Sequence, residues 1–220
     1  MINVPVDTSQ GPWNNSSLGL LFNEPVAQNS LGNITLTPAG GSPIPISVSI
    51  QYGNAVVWVQ LPWALSPNTQ YTYSITGVTD YNGNSITPVT STFTTGSGYD
   101  FTQPTVASAY PANNATGVAD NIAQLSLTFS EPMDPVLINN SNVWLQTHNS
   151  LTKVNFTFSF SPDYKTVYIT PTAPLAAATL YDLVIYGNNW WPYDTAGNSF
   201  DSTGNVGYNN GYVYSTFTTQ

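Results

Sequence analysis

The chain has 220 residues, of which only 6% are charged, and its formal net charge is −9. Lys153 and Lys165 are its only Lys or Arg residues, which excludes nucleic acid as a partner and disfavours anionic membrane surfaces, because both are bound by clustered cations. The chain has no cysteine, which rules out cysteine catalysis and thiolate metal sites. No apolar run is long enough to insert into a membrane.

Alternation of apolar and polar residues at period two predicts half-buried strands in the first half of the chain. After an irregular lead-in, the predicted strands cover residues 18–22, 34–36, 46–50, 57–60, 71–75 and 91–95. Turn residues separate them, as in the Asp80–Asn84 turn, where Asn and Gly tolerate positive φ. Helical periodicity is absent, so the sequence predicts an all-β fold.

The second half repeats this order. Its predicted strands cover residues 125–129, 143–145, 154–160, 167–169 and 215–219, with a Leu-to-Tyr step at 175–181 that matches 65–71. The Glu-Pro pair after the first strand recurs 107 residues later, and the spacing grows to 124 at the last strand because of insertions at 187–193 and 200–211. The sequence therefore predicts two tandem antiparallel Ig-like β-sandwiches, residues 1–97 and 101–220, joined by a short Gly/Ser hinge.

Four motifs of the second copy together resemble the bacterial Ig-like domain of the SbsA type. They are Phe-Ser-Glu-Pro-Met-Asp at 129–134, Ala-Thr-Gly-Val at 115–118, the Leu-to-Tyr step at 175–181 and Asp-x-x-Gly-Asn at 194–198. The resemblance covers residues 104–219 and, more loosely, 18–95. It implies a tandem module of S-layer and other large bacterial surface or secreted proteins, with a spacer, scaffold or adhesion role.

We therefore expect a non-catalytic structural, spacer or adhesion segment, located at the cell surface or outside the cell, whose partners are neighbouring domains of the same longer chain. The first five residues lack the basic start and apolar core of a signal peptide, so we expect a piece of an exported protein with Met1 added. The single histidine, His148, is predicted in an exposed turn. The sequence contains neither a Gly-x-Ser-x-Gly elbow nor a specific carboxylate pair, so no such motif indicates an enzyme.

The aromatic insertion of the second copy supports an alternative function. Trp190, Trp191 and Tyr193 combine ring faces with nearby Asn side chains in a segment of low charge, and such surfaces bind sugars. On this interpretation the second domain is a carbohydrate-binding module for a glycan or cell-wall polymer. The competing interpretation is that the insertion closes the sandwich end, while the outward-facing Trp58 and Tyr168 cover contacts with other domains.

Acidic residues support a second, weaker alternative, a calcium-stabilised surface-layer unit. Glu131, Asp134 and Asp194 offer the oxygen ligands that calcium prefers, provided that the strand end and the turn converge. No other cofactor is expected. The competing interpretation gives Glu24 and Glu131 a structural role, as acceptors for loop N–H groups at the strand ends.

Two tyrosines are predicted to act in the framework itself. Tyr71 and Tyr181 resemble a tyrosine corner, in which the hydroxyl bonds back to the loop backbone. Asp80, which begins a turn without a closing acid, is predicted to make an Asx-type turn.

Overall fold

The computed structural model describes residues 17–51, 53, 55–62, 65–98, 100–135, 137–186, 192–201 and 212–220. These residues form 14 strands and one 3-10 helix, which confirms the all-β prediction. The chain forms two compact units. Unit one consists of residues 1–101 with 195–197, and unit two consists of residues 102–194 with 198–220. No helix in the described ranges has the length and apolar character to cross a membrane.

Unit one contains two antiparallel three-stranded sheets, with strand orders β1-β4-β3 and β2-β5-β6. Its elements are β1 (Ser17–Leu21), a 3-10 helix (Gln28–Asn33), β2 (Ile34–Pro38), β3 (Ser47–Gln51), β4 (Val56–Gln60), β5 (Gln70–Ile75) and β6 (Val89–Thr94).

The core of unit one follows the alternation of the sequence. On β4, Val57 and Val59 are fully buried while Trp58, between them, is half-buried on the other face. On β5, Tyr71 and Tyr73 point inward and belong to the same apolar cluster. Each large side chain so buried contributes about 1.5–3 kcal/mol, so inward positions dominate the stability of this unit.

Unit two contains two four-stranded sheets, with strand orders β10-β13-β14-β8 and β11-β12-β9-β7. Its elements are β7 (Val106–Tyr110), β8 (Ala115–Val118), β9 (Leu125–Phe129), β10 (Val143–Thr147), β11 (Phe156–Phe160), β12 (Thr166–Pro171), β13 (Leu180–Tyr186) and β14 (Tyr212–Thr219). All pairs are antiparallel except β14 with β8, which is parallel.

The strand before the second Glu-Pro pair lies at the centre of the unit-two core. Leu125, Leu127 and Phe129 of β9 are buried, and the residues between them are half-buried. β9 is hydrogen-bonded on both sides, to β12 and to β7. The predicted bounds of this strand, residues 125–129, are confirmed.

Three elements have no counterpart in the sequence prediction. β7 contains a register shift between Val106 and Ser108, so its burial does not alternate. β8 has four residues and is interrupted by Gly117 at a φ of 66°. The 3-10 helix buries only Leu31 within its six residues. Each element lacks the periodic apolar pattern on which sequence prediction depends.

Candidate functional site

In both units the chain just after the Glu-Pro pair lies against a turn of sequence Asp-x-x-Gly-Asn. Val26 forms an isolated antiparallel bridge with Asp80 in unit one, and Met133 forms one with Asp194 in unit two. The proline stops the strand, since it has no N–H to donate. Each unit therefore has an acidic strand end and an acidic turn at the same place.

The Asp80 turn is closed by the aspartate side chain. One carboxylate oxygen accepts hydrogen bonds of 2.8 Å from the backbone N–H groups of Asn82 and Asn84, and the other accepts one of 2.7 Å from the Asn84 amide. Gly83 completes the turn at a φ of 86°, a region that glycine enters without steric penalty. The Asn84 amide, helped by the backbone N–H groups of the turn, lowers the pKa of the Asp80 carboxyl. The predicted Asx-type turn is confirmed.

Asp194 closes its turn in the same way. Its oxygens accept hydrogen bonds of 2.7 Å from the Asn198 backbone N–H and 2.9 Å from the Asn198 amide. Its own N–H donates to the Asn198 carbonyl at 3.0 Å, and Gly197 has a φ of 88°.

Two of the three predicted calcium ligands lie together in unit two. Glu131 and Asp194 are both buried, and each offers a carboxylate oxygen within 4.8 Å of the other. Asp134 is half-buried, and its charge adds to the effect of burial in raising the pKa of the Tyr164 phenol. In unit one the equivalent Glu24 is exposed. Calcium binding at these residues stays a prediction.

Each predicted corner tyrosine bonds back to the loop before it. The Tyr71 hydroxyl accepts a hydrogen bond of 2.9 Å from the Ser66 N–H, and the Tyr181 hydroxyl accepts one of 2.8 Å from the Ala176 N–H. In both cases the donor is five residues earlier in the chain. The two loops are thus fixed by the same neutral hydrogen bond.

A threonine at the end of the last strand of each unit fixes the same loop from the other side. Thr95 accepts a hydrogen bond of 3.0 Å from the Thr69 N–H and donates one to the Ser66 carbonyl. Thr219 accepts one of 2.9 Å from the Thr179 N–H and donates one of 2.7 Å to the Ala176 carbonyl. These threonine bonds were not predicted from the sequence, although the Thr-Thr ending common to both copies is a signal for them.

A polar network on the outer face of β10 and β13 was also not predicted. His148 Nδ1 lies 2.8 Å from an oxygen of Asp182, which is buried. The Trp144 indole donates to Gln146 at 2.8 Å, and the Lys153 ammonium lies 4.2 Å from the centroid of the Trp144 ring. His148 is therefore half-buried and paired with an acid, which corrects the expected exposed turn histidine.

The residues predicted to bind carbohydrate are only partly placed. Trp190 and Trp191 lie outside the described residues. Tyr193 is half-buried, forms an isolated bridge with Ser199 and accepts a hydrogen bond of 3.0 Å from the Asp134 N–H at its carbonyl. The sugar-binding interpretation stays a prediction.

The family model of the bacterial Ig-like domain matches residues 2–95 and again residues 100–219. These two matches cover most of the chain and correspond to the two copies in the sequence. The chain belongs to the bacterial Ig-like domain family, and the predicted resemblance is confirmed. A search among curated protein sequences finds no match.

Several solved structures are similar to parts of this chain. The copper resistance protein PcoC of Escherichia coli is 19% identical, covering 54% of this chain and 100% of its own, with a TM-score of 0.38. The N-terminal part of the bacterial S-layer protein SbsC is 16% identical over 99% of this chain, with a TM-score of 0.36. The BSP domain of a biofilm-associated protein is 13% identical over 99% of this chain, with a TM-score of 0.29. This chain spans 44% of the SbsC fragment and 29% of the biofilm-associated one.

Proposed function

We propose that the chain is a non-catalytic, load-bearing spacer segment of a larger bacterial cell-surface or secreted protein, where it separates and presents neighbouring domains. Its membership of a bacterial Ig-like family in two tandem copies supports this role. A spacer needs domains that stay folded under tension. The strand pairing of unit two is the physical reason to expect that this unit stays folded under tension.

The observation that carries the proposal is the parallel pairing of β8 with β14. β8 lies near the start of unit two, and β14 ends one residue before the end of the chain. When a chain is pulled from its two ends, a parallel pair of this kind is loaded along the strands. Its hydrogen bonds must then break together instead of one at a time, which gives high mechanical resistance.

Side chains strengthen this parallel pair. The Asn113 side-chain oxygen accepts hydrogen bonds of 2.9 Å from the Thr216 N–H and 3.0 Å from its hydroxyl. The buried Ser215 hydroxyl donates to the Pro111 carbonyl at 2.7 Å. Backbone bonds of 2.7 Å from Asn114 and 2.9 Å from Gln220 join the same segments. The C-terminal strand is thus attached to the start of its unit by side chains as well as backbone.

The polar clusters of both units support a structural role rather than catalysis. The Asp80 and Asp194 carboxylates close turns, and the two corner tyrosines fix loops. His148 directs Nδ1 at the buried Asp182 carboxylate and so holds the turn after β10 against β13. Each of these polar groups thus has a structural task in the fold.

Force spectroscopy on the intact chain tests the spacer proposal. We expect two separate unfolding events that release about 30 nm and about 40 nm of chain, from the lengths of the two family segments. The Asn113→Ala variant should lower the force of the longer event alone. Asn149→Ala, an exposed turn residue of the same unit, is the matched control and should leave both forces unchanged.

Two results would contradict the proposal. One is that the unfolding event of unit two, which releases the longer segment, occurs at only a few piconewtons, as expected for strands whose hydrogen bonds break one at a time. The other is saturable binding to a polysaccharide on a glycan array that is lost on Trp190→Ala, which would favour the carbohydrate-binding alternative. We expect no saturable glycan binding.

A further inference from the structure

The described edge strands of unit two differ in how open they are to another strand. β7 has a register shift, and β8 has only four residues. The outer edge of β10 is occupied at Gln146 by a bridge to Lys153 and by a bond of 2.8 Å from the Val154 N–H to the Leu145 carbonyl. β11 pairs regularly with β12 on one side and is the outer strand of its sheet on the other.

The open side of β11 carries the backbone groups of its three phenylalanines. The Ser161 N–H donates to the Thr166 carbonyl at 2.9 Å, and the Asn155 carbonyl accepts from the Thr172 N–H at 3.0 Å. Odd-numbered residues therefore face β12. Since the direction reverses at every residue, the N–H and C=O groups of Phe156, Phe158 and Phe160 face away from the sheet.

The sequence of β11 is symmetric about its centre. Phe-Thr-Phe-Ser-Phe places Phe156 and Phe160 at equal distances from Phe158, with Thr157 and Ser159 between them. Two such strands, antiparallel about a twofold axis at Phe158, would pair phenylalanine with phenylalanine and hydroxyl with hydroxyl. Natural edge strands often carry charged residues or proline, which prevent such pairing. β11 contains neither.

The charges beyond the ends of β11 are complementary in the same register. Lys153 lies five residues before Phe158, and Asp163 lies five residues after it. Both side chains are exposed. The twofold axis that pairs the strands therefore puts the lysine of one copy and the aspartate of the other at the same end of the pair, so that opposite charges share each end.

We propose that β11 is a homotypic interface, which pairs edge to edge with β11 of a second copy of this chain and extends the four-stranded sheet to eight strands. About six backbone hydrogen bonds form, from the outward N–H and C=O groups of Phe156, Phe158 and Phe160. The half-buried rings, of which Phe156 and Phe158 already make an edge-to-face pair at 4.8 Å, gain partners across the interface.

The first test is sedimentation velocity of the intact chain over a range of concentrations. The wild type should form dimers. T157K/S159K places lysine opposite lysine twice and should weaken dimerisation about tenfold or more. T157K/S159E, the matched control, makes the same number of changes on the same exposed positions but places lysine opposite glutamate, and it should dimerise at least as well as the wild type.

Unit one supplies a second control. Its equivalent edge strand, β3, also alternates, but Pro43 and Pro45 precede it and no Lys, Arg, Asp or Glu lies within five residues of it. The variant S47K/S49K should leave the dimer unchanged. Loss of dimerisation in this variant would assign the interface to unit one and overturn the proposal.

The second test uses the absence of cysteine from the chain. In the proposed register Thr157 lies opposite Ser159 of the partner as a non-hydrogen-bonded pair, with Cα atoms about 4.5 Å apart, which suits a disulfide. Mixed T157C and S159C chains should therefore cross-link on mild oxidation, faster than either chain alone. A chain that stays monomeric at millimolar concentration, or a dimer that T157K/S159K does not weaken, overturns the proposal.

Discussion

Tyr71 and Tyr73 lie two residues apart on the same buried face of β5, but only the Tyr71 hydroxyl has a hydrogen-bond partner among the described residues. Tyr73 is fully buried, and this burial raises the pKa of its phenol. A buried hydroxyl without a partner costs about 1–3 kcal/mol. The Tyr71 hydroxyl thus stabilises the fold, whereas the Tyr73 hydroxyl destabilises it.

The stability of unit one should therefore change in opposite directions on removing these two hydroxyls. Tyr73→Phe should raise the free energy of unfolding by about 1 kcal/mol, because it removes the unpaired group and keeps the ring. Tyr71→Phe is the matched variant and should lower it by about 1 kcal/mol. Urea unfolding followed by fluorescence measures both. Destabilisation by Tyr73→Phe would indicate that its hydroxyl has a partner.

The pair of His148 and Asp182 should stabilise unit two. His148→Ala leaves the buried Asp182 carboxylate with a weaker set of donors, and we expect a loss of about 1–2 kcal/mol. A double-mutant cycle with Asp182→Asn isolates the interaction from other effects of each change. A coupling free energy of zero would mean that the two side chains act independently.

Unit one should lose stability in acid through Asp80. The pKa of its carboxyl is lower in the folded state than in the unfolded state, where the usual value is about 3.9. Its contribution is therefore fully present above about pH 4, and it is lost as the pH falls through the lower folded pKa. Asp80→Asn should flatten this part of the stability profile, as measured by urea unfolding between about pH 2 and 7.

A profile that stays equally steep in Asp80→Asn would assign the acid sensitivity to other carboxylates. Asp163 is the first to examine, because the Ser161 hydroxyl, helped by the Lys165 N–H and charge, lowers its pKa as well. It lies in unit two, so probes of each unit distinguish the two contributions.

Calcium, if it binds at Glu131, Asp134 and Asp194, must raise the melting temperature of unit two, since a ligand that binds only the native state stabilises it. We expect a rise at millimolar Ca²⁺ that EGTA reverses and Glu131→Gln removes. Glu24→Gln, at the equivalent position of unit one, is the control and should keep the rise. An unchanged midpoint would reject the calcium site.

The sequence predicts the repeat and the alternating strands well, because both are local patterns. β9 is placed at its observed bounds, since each inward residue from Leu125 to Phe129 is large and apolar. β7 is missed because its register shift disrupts the alternation of burial, and β8 is missed because its pairing depends on a strand distant in sequence. β8 pairs with β14, about 100 residues later, and its own residues are partly exposed and interrupted by Gly117.

The candidate sites show the same difference between local contacts, which the sequence predicts, and long-range contacts, which it does not. The Asp80 turn is predicted because its hydrogen bonds join residues at most four positions apart. The pairing of His148 with Asp182 joins residues 34 positions apart. No local sequence pattern indicates that Asp182, buried on β13, pairs with His148 in the turn after β10.

The two lysines lie on either side of β11, Lys153 before it and Lys165 after it. Trypsin cuts only after lysine or arginine, so it can attack the whole chain at two peptide bonds, and cutting both releases the segment that contains β11. Cleavage needs local opening of the backbone. Tryptic digestion therefore reports on the local opening of the chain at the two ends of β11 in the intact protein, and its rate should fall as the protein concentration rises and the β11 edge becomes occupied.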